Sequence, residues 1–189
     1  MIALGSDHAG LPLKKEIMAL LDEMQLPYHD YGTYTADSCD YAVFAQRAAK
    51  AVVGGECERG ILCCGTGIGI SIAANKVKGI RCCACSDCYS AKMSRAHNDA
   101  NMLALGARVV GTELGRMIAQ TFLTSEFEGG RISAASIRLR PSRTGRIWAD
   151  EHSGFWRKAR RILRRRDSAR DRCCGGAGRR ARRCAGGRI

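Results

Sequence analysis

The chain has 189 residues and a net charge of +13, but the excess sits at one end: residues 1–130 hold 12 Lys/Arg against 14 Asp/Glu, a net of −2, and residues 131–189 hold 19 against 4, a net of +15. The first segment is therefore a slightly acidic domain long enough for one core, and a uniformly basic nucleic-acid or membrane-surface protein is excluded for it. No apolar run approaches a membrane span, and the start turns polar at Ser6-Asp7-His8 instead of continuing as a secretory leader, so the 11 cysteines are expected in a reducing cytoplasm.

Residues 2–5 read as a short apolar strand. Pro12 then stands where a first helical turn tolerates it, and Leu13, Ile17, Leu20, Leu21 and Met24 fall on one helical face, with Lys14, Lys15, Asp22 and Glu23 off it. Residues 27–31 are a weaker strand signal. Tyr41, Phe44, Ala45, Ala48, Ala51 and Val52 show helical spacing, stopped by Gly54-Gly55. A third strand is expected over 60–64, a helix over 70–76, a fourth strand over 80–85, a helix over 90–97, a fifth strand over 102–105 and a closing helix over 113–123. Strands alternating with helices imply right-handed crossovers: an α/β, three-layer, Rossmann-like doubly wound fold with about five parallel strands.

Residues 60–71 carry the most chemistry. A buried strand ends in Cys63-Cys64 and runs into Gly65-Thr66-Gly67-Ile68-Gly69. The glycines permit positive φ or close backbone approach, and successive N–H groups can face an anion. Their spacing of two matches neither the dinucleotide fingerprint nor the phosphate loop that ends in Gly-Lys-Ser/Thr. In a parallel sheet ligands bind beyond the carboxyl ends of the strands, which gathers Asp7, His8, Cys64, Thr66 and Asp87 on one edge. His97 and Asn98 precede strand five and belong to the opposite edge. Strand alternation turns Cys63 away from Cys64 and makes it a packing residue.

Cys85 and Cys88 have CxxC spacing, yet a structural zinc site would need a second ligand pair, and residues 82–85 continue an apolar run. Cys82, Cys83 and Cys85 are read as buried strand cysteines, with no metal. Residues 131–189 differ in kind: an Arg-rich, low-complexity tail containing the run RKARRILRRR at 157–166 and few large apolar side chains. A disordered solvated extension is expected there. A basic arm for RNA or DNA, an anionic-surface helix over 155–163, and a tail created by an altered reading frame near Arg131 remain alternatives.

Ser6-Asp7-His8-Ala9-Gly10, Asp40-Tyr41, the stretch 60–75, Gly79-Ile80-Arg81, the stretch 94–101, the stretch 106–111 and Phe127-Glu128-Gly129-Gly130-Arg131 together resemble the family of type B ribose-5-phosphate isomerases, which includes the galactose-6-phosphate isomerase subunits. The resemblance covers residues 1–131. It implies a cofactor-independent aldose–ketose isomerase that interconverts ribose 5-phosphate and ribulose 5-phosphate through an enediolate. A 6-phosphohexose, galactose or allose, is the alternative substrate, and a tail-mediated nucleic-acid-binding protein the alternative function. Cys64, Thr66 and His97 on a single chain favour a self-sufficient enzyme acting on the pentose.

In residue terms the resemblance makes Cys64 the base at C2, its thiolate favoured by the adjacent amide-lined turn. Thr66 would shuttle protons between the enediolate oxygens, and amides from Gly65, Gly67, Ile68, Gly69 and Ser71 would hold the oxyanion. His97 would open the sugar ring, with Asp7, Tyr41 and Asn98 on the sugar and His8, Arg108 and Arg131 on the phosphate. The family's second C-terminal arginine falls at Ala135 here, a loss worth about 1.5–3 kcal/mol of phosphate binding. The resemblance also answers the edge mismatch of His97, because it implies a homodimer, or a tetramer, with shared sites: His97, Asn98, Arg108 and Arg131 from one protomer, Asp7, His8, Cys64 and Thr66 from the other.

Overall fold

Continuous apolar runs, with both strand faces covered, are what a buried parallel sheet requires, and the computed structural model, which describes residues 1–129, contains one such sheet. In chain order the elements are β1 (Ile2–Ser6), α1 (Leu11–Glu23), β2 (Tyr28–Asp30), α2 (Tyr41–Val53), β3 (Arg59–Cys64), α3 (Ile68–Asn75), β4 (Cys82–Ala84), α4 (Cys88–Ala96), β5 (Met102–Gly106) and α5 (Thr112–Thr124). The strands lie in the order β2-β1-β3-β5-β4, every pair parallel. From β1 the chain winds to β2 on one side and to β3 on the other, and α/β sheets bind ligands beyond the carboxyl ends of the strands at such a switch point.

Strand alternation divides the core in two. Ile2, Leu4, Ile61, Cys63, Leu103 and Leu105 face α1, α4 and α5, where they meet Ile17, Leu21, Ala91, Ile118 and Phe122. Ala3, Leu62, Cys64, Met102 and Ala104 face α2 and α3, meeting Ala45, Ala48, Val52, Ile70 and Ala74. Leu4, Ile61, Leu62, Leu103 and Leu105 have no exposed surface, and burying each contributes about 1.5–3 kcal/mol. Helices lie on both faces, so the three-layer, five-stranded α/β architecture expected from the sequence is the one observed.

Three local readings need correction. The fourth strand is only Cys82–Ala84: Gly79 takes φ 96°, and the Arg81 N–H donates to the Asn101 side-chain oxygen at 2.8 Å, so the apolar Ile80 lies in a turn. α3 begins two residues early, at Ile68, because left-handed Gly67 (φ 79°) starts the helix itself. Lys14, placed off the apolar face of α1 by its charge, is 1 % exposed. Its ammonium donates to Asp30 at 2.7 and 2.6 Å and to the Thr33 carbonyl at 2.7 Å.

Arg131, Ala135 and the Arg-rich segment, with the readings attached to them as a disordered tail, nucleic-acid arm, anionic-surface helix or product of an altered reading frame, lie outside the described residues. Among the described residues, no helix is long and apolar enough to cross a membrane.

Candidate active site

Helices that follow parallel strands begin at the sheet's carboxyl edge, so the loops after β1, β3 and β5 and the start of α2 meet there. After β1, the Asp7 N–H donates to the Cys63 carbonyl at 3.2 Å and its carboxylate accepts from the Gly10 N–H at 2.8 Å. Gly10 packs against the end of β3 so closely that a methyl group would overlap the Cys63 carbonyl. This contact fastens the β1–α1 loop, with Asp7 and His8, to the end of the strand carrying Cys64.

Cys63 and Cys64 point to opposite faces, as alternation requires. Cys63 joins the core under α1, where burial first, and then neighbouring Cys64, pushes its thiol far above the ordinary range. Cys64 is 5 % exposed, and the Gly67 N–H donates to its sulfur at 3.1 Å. That bond depends on the left-handed turn at Gly67, where a side chain would also press on the Leu105 carbonyl carbon at 3.1 Å. Gly106 supports the turn from β5: a methyl there would stand 2.6 Å from the Thr66 carbonyl carbon.

Thr66 is exposed, and its hydroxyl accepts from the Ile68 N–H at 3.4 Å. Ser71 secures the first turn of α3 by donating its hydroxyl to the Ile68 carbonyl at 2.7 Å and its N–H to the Gly67 carbonyl at 3.2 Å. The resulting edge presents an amide-bonded thiol beside the positive end of a short helix.

Tyr41 enters from α2, which Asp40 caps by accepting from the Ala42 N–H at 2.8 Å. Its ring lies over Gly69, where a methyl would be 3.0–3.2 Å from ring atoms. The turn after β5 tracks the turn after β3: the Ala107 N–H donates to the Cys64 carbonyl at 2.8 Å and the Arg108 N–H to the Gly65 carbonyl at 3.0 Å. The Arg108 side chain then reaches over Gly65, within 3.7–3.8 Å of where a methyl would stand. Arg108 thus belongs to the same chain's edge as Cys64. The sequence reading that grouped it with His97 on the neighbouring protomer is corrected by this turn-on-turn packing, which no local pattern encodes.

His97 and Asn98 are not brought to Cys64. His97 caps the carboxyl end of α4, at the amino edge of β5, with its N–H donating to the Met93 carbonyl at 2.9 Å and its Nε2 lying 3.8 Å from a Glu128 carboxylate oxygen. Arg131 lies outside the described residues. His8 acquires a neighbour the sequence reading missed: the Cys39 N–H donates to its Nδ1 at 3.4 Å, with the Cys39 sulfur 3.9 Å away. The two residues are 31 apart in the chain, so no local pattern carried a signal for this contact.

The cysteines of β4 and α4 divide between the two cores. Cys82 packs with Leu62 and Met102, whereas Cys85, with half-buried Cys83 and Cys88, packs on the other face. Burial pushes the Cys85 thiol up to about 12, aided by neighbouring Cys83 and Asp87. Among the described residues, no three His, Cys, Asp or Glu side chains are placed to hold a metal ion.

Chemically, an amide-bonded thiol beside a glycine-lined turn and an arginine suits removal of a carbon-bound proton from an anionic substrate, with the amides holding the oxyanion that forms.

Residues 2–138 match the ribose/galactose isomerase family. Ribose-5-phosphate isomerase B of Escherichia coli K12 is 54 % identical over 130 residues, covering 69 % of this chain and 87 % of the relative. D-erythrulose-4-phosphate isomerase of Pectobacterium atrosepticum is 46 % identical over 130 residues, covering 68 % and 86 %. The structure of Clostridium thermocellum ribose-5-phosphate isomerase B superposes with a TM-score of 0.72 at 51 % identity, covering 73 % of this chain and 93 % of that one.

Proposed function

The chain belongs to the ribose/galactose isomerase family, and from that premise we propose that it interconverts ribose 5-phosphate and ribulose 5-phosphate through an enediolate, with Cys64 as the base. The observation that carries this reading is the 3.1 Å bond from the Gly67 N–H to the Cys64 sulfur, formed while the adjacent Cys63 is turned into the core. Only one of the two thiols can then meet a substrate at the carboxyl edge.

The reaction begins with ring opening, for which His97 of a second protomer relays a proton to the ring oxygen, while Asp7, Tyr41 and that protomer's Asn98 hold the sugar. The Cys64 thiolate takes the proton from C2 of the open aldose. Negative charge moves onto O1, where amides from Gly65, Gly67, Ile68, Gly69 and Ser71 hold it; each well-placed donor is worth about 3 kcal/mol in the transition state. Thr66 carries a proton between O1 and O2, and Cys64 returns its proton to C1. His8, Arg108 and Arg131 bind the phosphate, with arginine's planar fork suited to two phosphate oxygens at once. No step draws on a metal or an organic cofactor.

Two protomers are needed because His97 stands on the edge opposite Cys64. Exposed Ile68 and Ile72, one helical turn apart on α3 beside the thiol, supply an apolar patch that supports such a contact. The Pectobacterium relative adds a tetrose 4-phosphate to the 6-phosphohexose as an alternative substrate class.

The test is turnover of ribose 5-phosphate, erythrose 4-phosphate and galactose and allose 6-phosphates in chelator-containing buffer, with sedimentation of the same sample. Pentose turnover by a dimer or larger assembly is expected. Failure to convert any of the four sugars would overturn the reading, as would activity that appears only on adding a divalent ion.

A further inference from the structure

The turn that carries His97 and Asn98 is held by a charge cluster that the reaction scheme does not use. Asp99 has φ 47°, a left-handed conformation uncommon outside glycine but one that Asp adopts more readily than most side chains. Its N–H donates to the Arg95 carbonyl at 3.1 Å, and its two carboxylate oxygens accept from different arginines, Arg95 at 3.0 Å and Arg81 at 2.8 Å. Arg81 also donates to the Asp99 carbonyl at 2.8 and 2.6 Å and to the Asn98 carbonyl at 3.1 Å. Arg95 is 7 % exposed, stacks against Phe122 at 5.9 Å and donates to the Ala100 carbonyl.

The carbonyls of Asn98, Asp99 and Ala100 are thus all gripped by guanidinium groups, and one carboxylate joins the two arginines. Surface ion pairs contribute little to stability. Here one partner is buried and the other binds backbone as well as charge, so what the cluster fixes is a backbone conformation. The Arg81 end is itself anchored, its N–H bonded to the Asn101 side chain and its carbonyl accepting from the Asn101 N–H at 3.1 Å.

We propose that Asp99, bridged between Arg81 and Arg95, is a positioning residue that aims His97 at the site of the neighbouring protomer. This inference rests on the role given to His97 above. Displacing a catalytic group by about 1 Å can cost about 100-fold in rate, so a loosened turn lowers turnover while the Cys64 edge remains intact.

The experiment is a double-mutant cycle in the full chain, read as kcat and KM for ribose 5-phosphate, with thermal melting of each variant. Asp99→Asn is expected to lower kcat about 10- to 100-fold in the wild-type background and less than about 3-fold in the His97→Ala background, because coupled sites are non-additive. Arg81→Lys, which keeps the charge but loses the fork that grips two carbonyls, is expected to follow the same pattern and serves if Asp99→Asn folds poorly. Equal losses in both backgrounds, or undiminished kcat in both single variants, would overturn the inference. Normal turnover by His97→Ala alone would instead overturn the assignment of His97, and the positioning role with it.

Discussion

Replacing Lys14 by methionine tests the packing that holds the site's loops. All three Lys14 donors are used, two on Asp30 and one on the Thr33 carbonyl, and among the described residues the Asp30 carboxylate keeps only the Gly32 N–H, at 2.9 Å, once the ammonium is removed. Breaking a buried pair in this way costs about 3–5 kcal/mol, because a charge remains without its counterion. The Lys14→Met, Asp30→Asn double variant removes that charge while the amide oxygen can still accept from Gly32. What remains is the orphaned Thr33 carbonyl, about 1–3 kcal/mol. The double variant should therefore be more stable than the single one. With an m-value of about 2 kcal/mol per molar urea, the single change moves the urea midpoint down by about 2 M. Urea unfolding followed by circular dichroism, at one protomer concentration for all variants, measures both. A loss below about 1 kcal/mol in Lys14→Met, or a double variant less stable than the single one, would refute the reasoning. Function should follow stability here, since the clamped segment leads to Cys39, which touches His8, and to Tyr41.

Gly69→Ala places a methyl 3.0 Å from the Tyr41 ring, a half-exposed side chain that can move away. Stability should change by less than about 1 kcal/mol while KM rises about fivefold, which steady-state kinetics and a melt together resolve. Burial lifts the thiols of Cys63, Cys82 and Cys85, the last to about 12. In the folded state these groups stay protonated after their unfolded counterparts, near 8.5, have ionised. Their stabilising effect is complete below about pH 8.5 and declines as pH rises toward 12, so urea midpoints at pH 8 and pH 10 should fall in that order. The same shift predicts that iodoacetamide at pH 8 leaves Cys85 unmodified in the native protein, read by peptide mass spectrometry.

β1, β3 and β5 were legible because parallel strands covered on both faces are written as unbroken apolar runs, such as those around Ile61 and Leu103, whereas β2, the half-buried Tyr28–Asp30, has no such run and gave only a weak signal. The order of the catalytic edge followed from polarity alone, since residues just after a strand share one rim of a parallel sheet. Local patterns failed where a contact spans the chain. Lys14 looks like a solvated charge until Asp30, 16 residues on, is placed beside it. Arg108 reaches Gly65 because two distant turns stack, and Arg81 grips Asp99 across 18 residues. Ile80 misled for another reason: its apolar character suits a buried turn as well as a strand, and only the positive φ of Gly79 distinguishes them.

The most direct measurement compares Cys64→Ala with Cys63→Ala in ribose 5-phosphate turnover, with both proteins shown to be folded. Removing a general base costs about 10²–10⁴-fold, so Cys64→Ala should lose at least about 100-fold while Cys63→Ala stays within about 3-fold of the parent. Equal loss in the two variants, or none in Cys64→Ala, would contradict the assignment of the proton-abstracting sulfur.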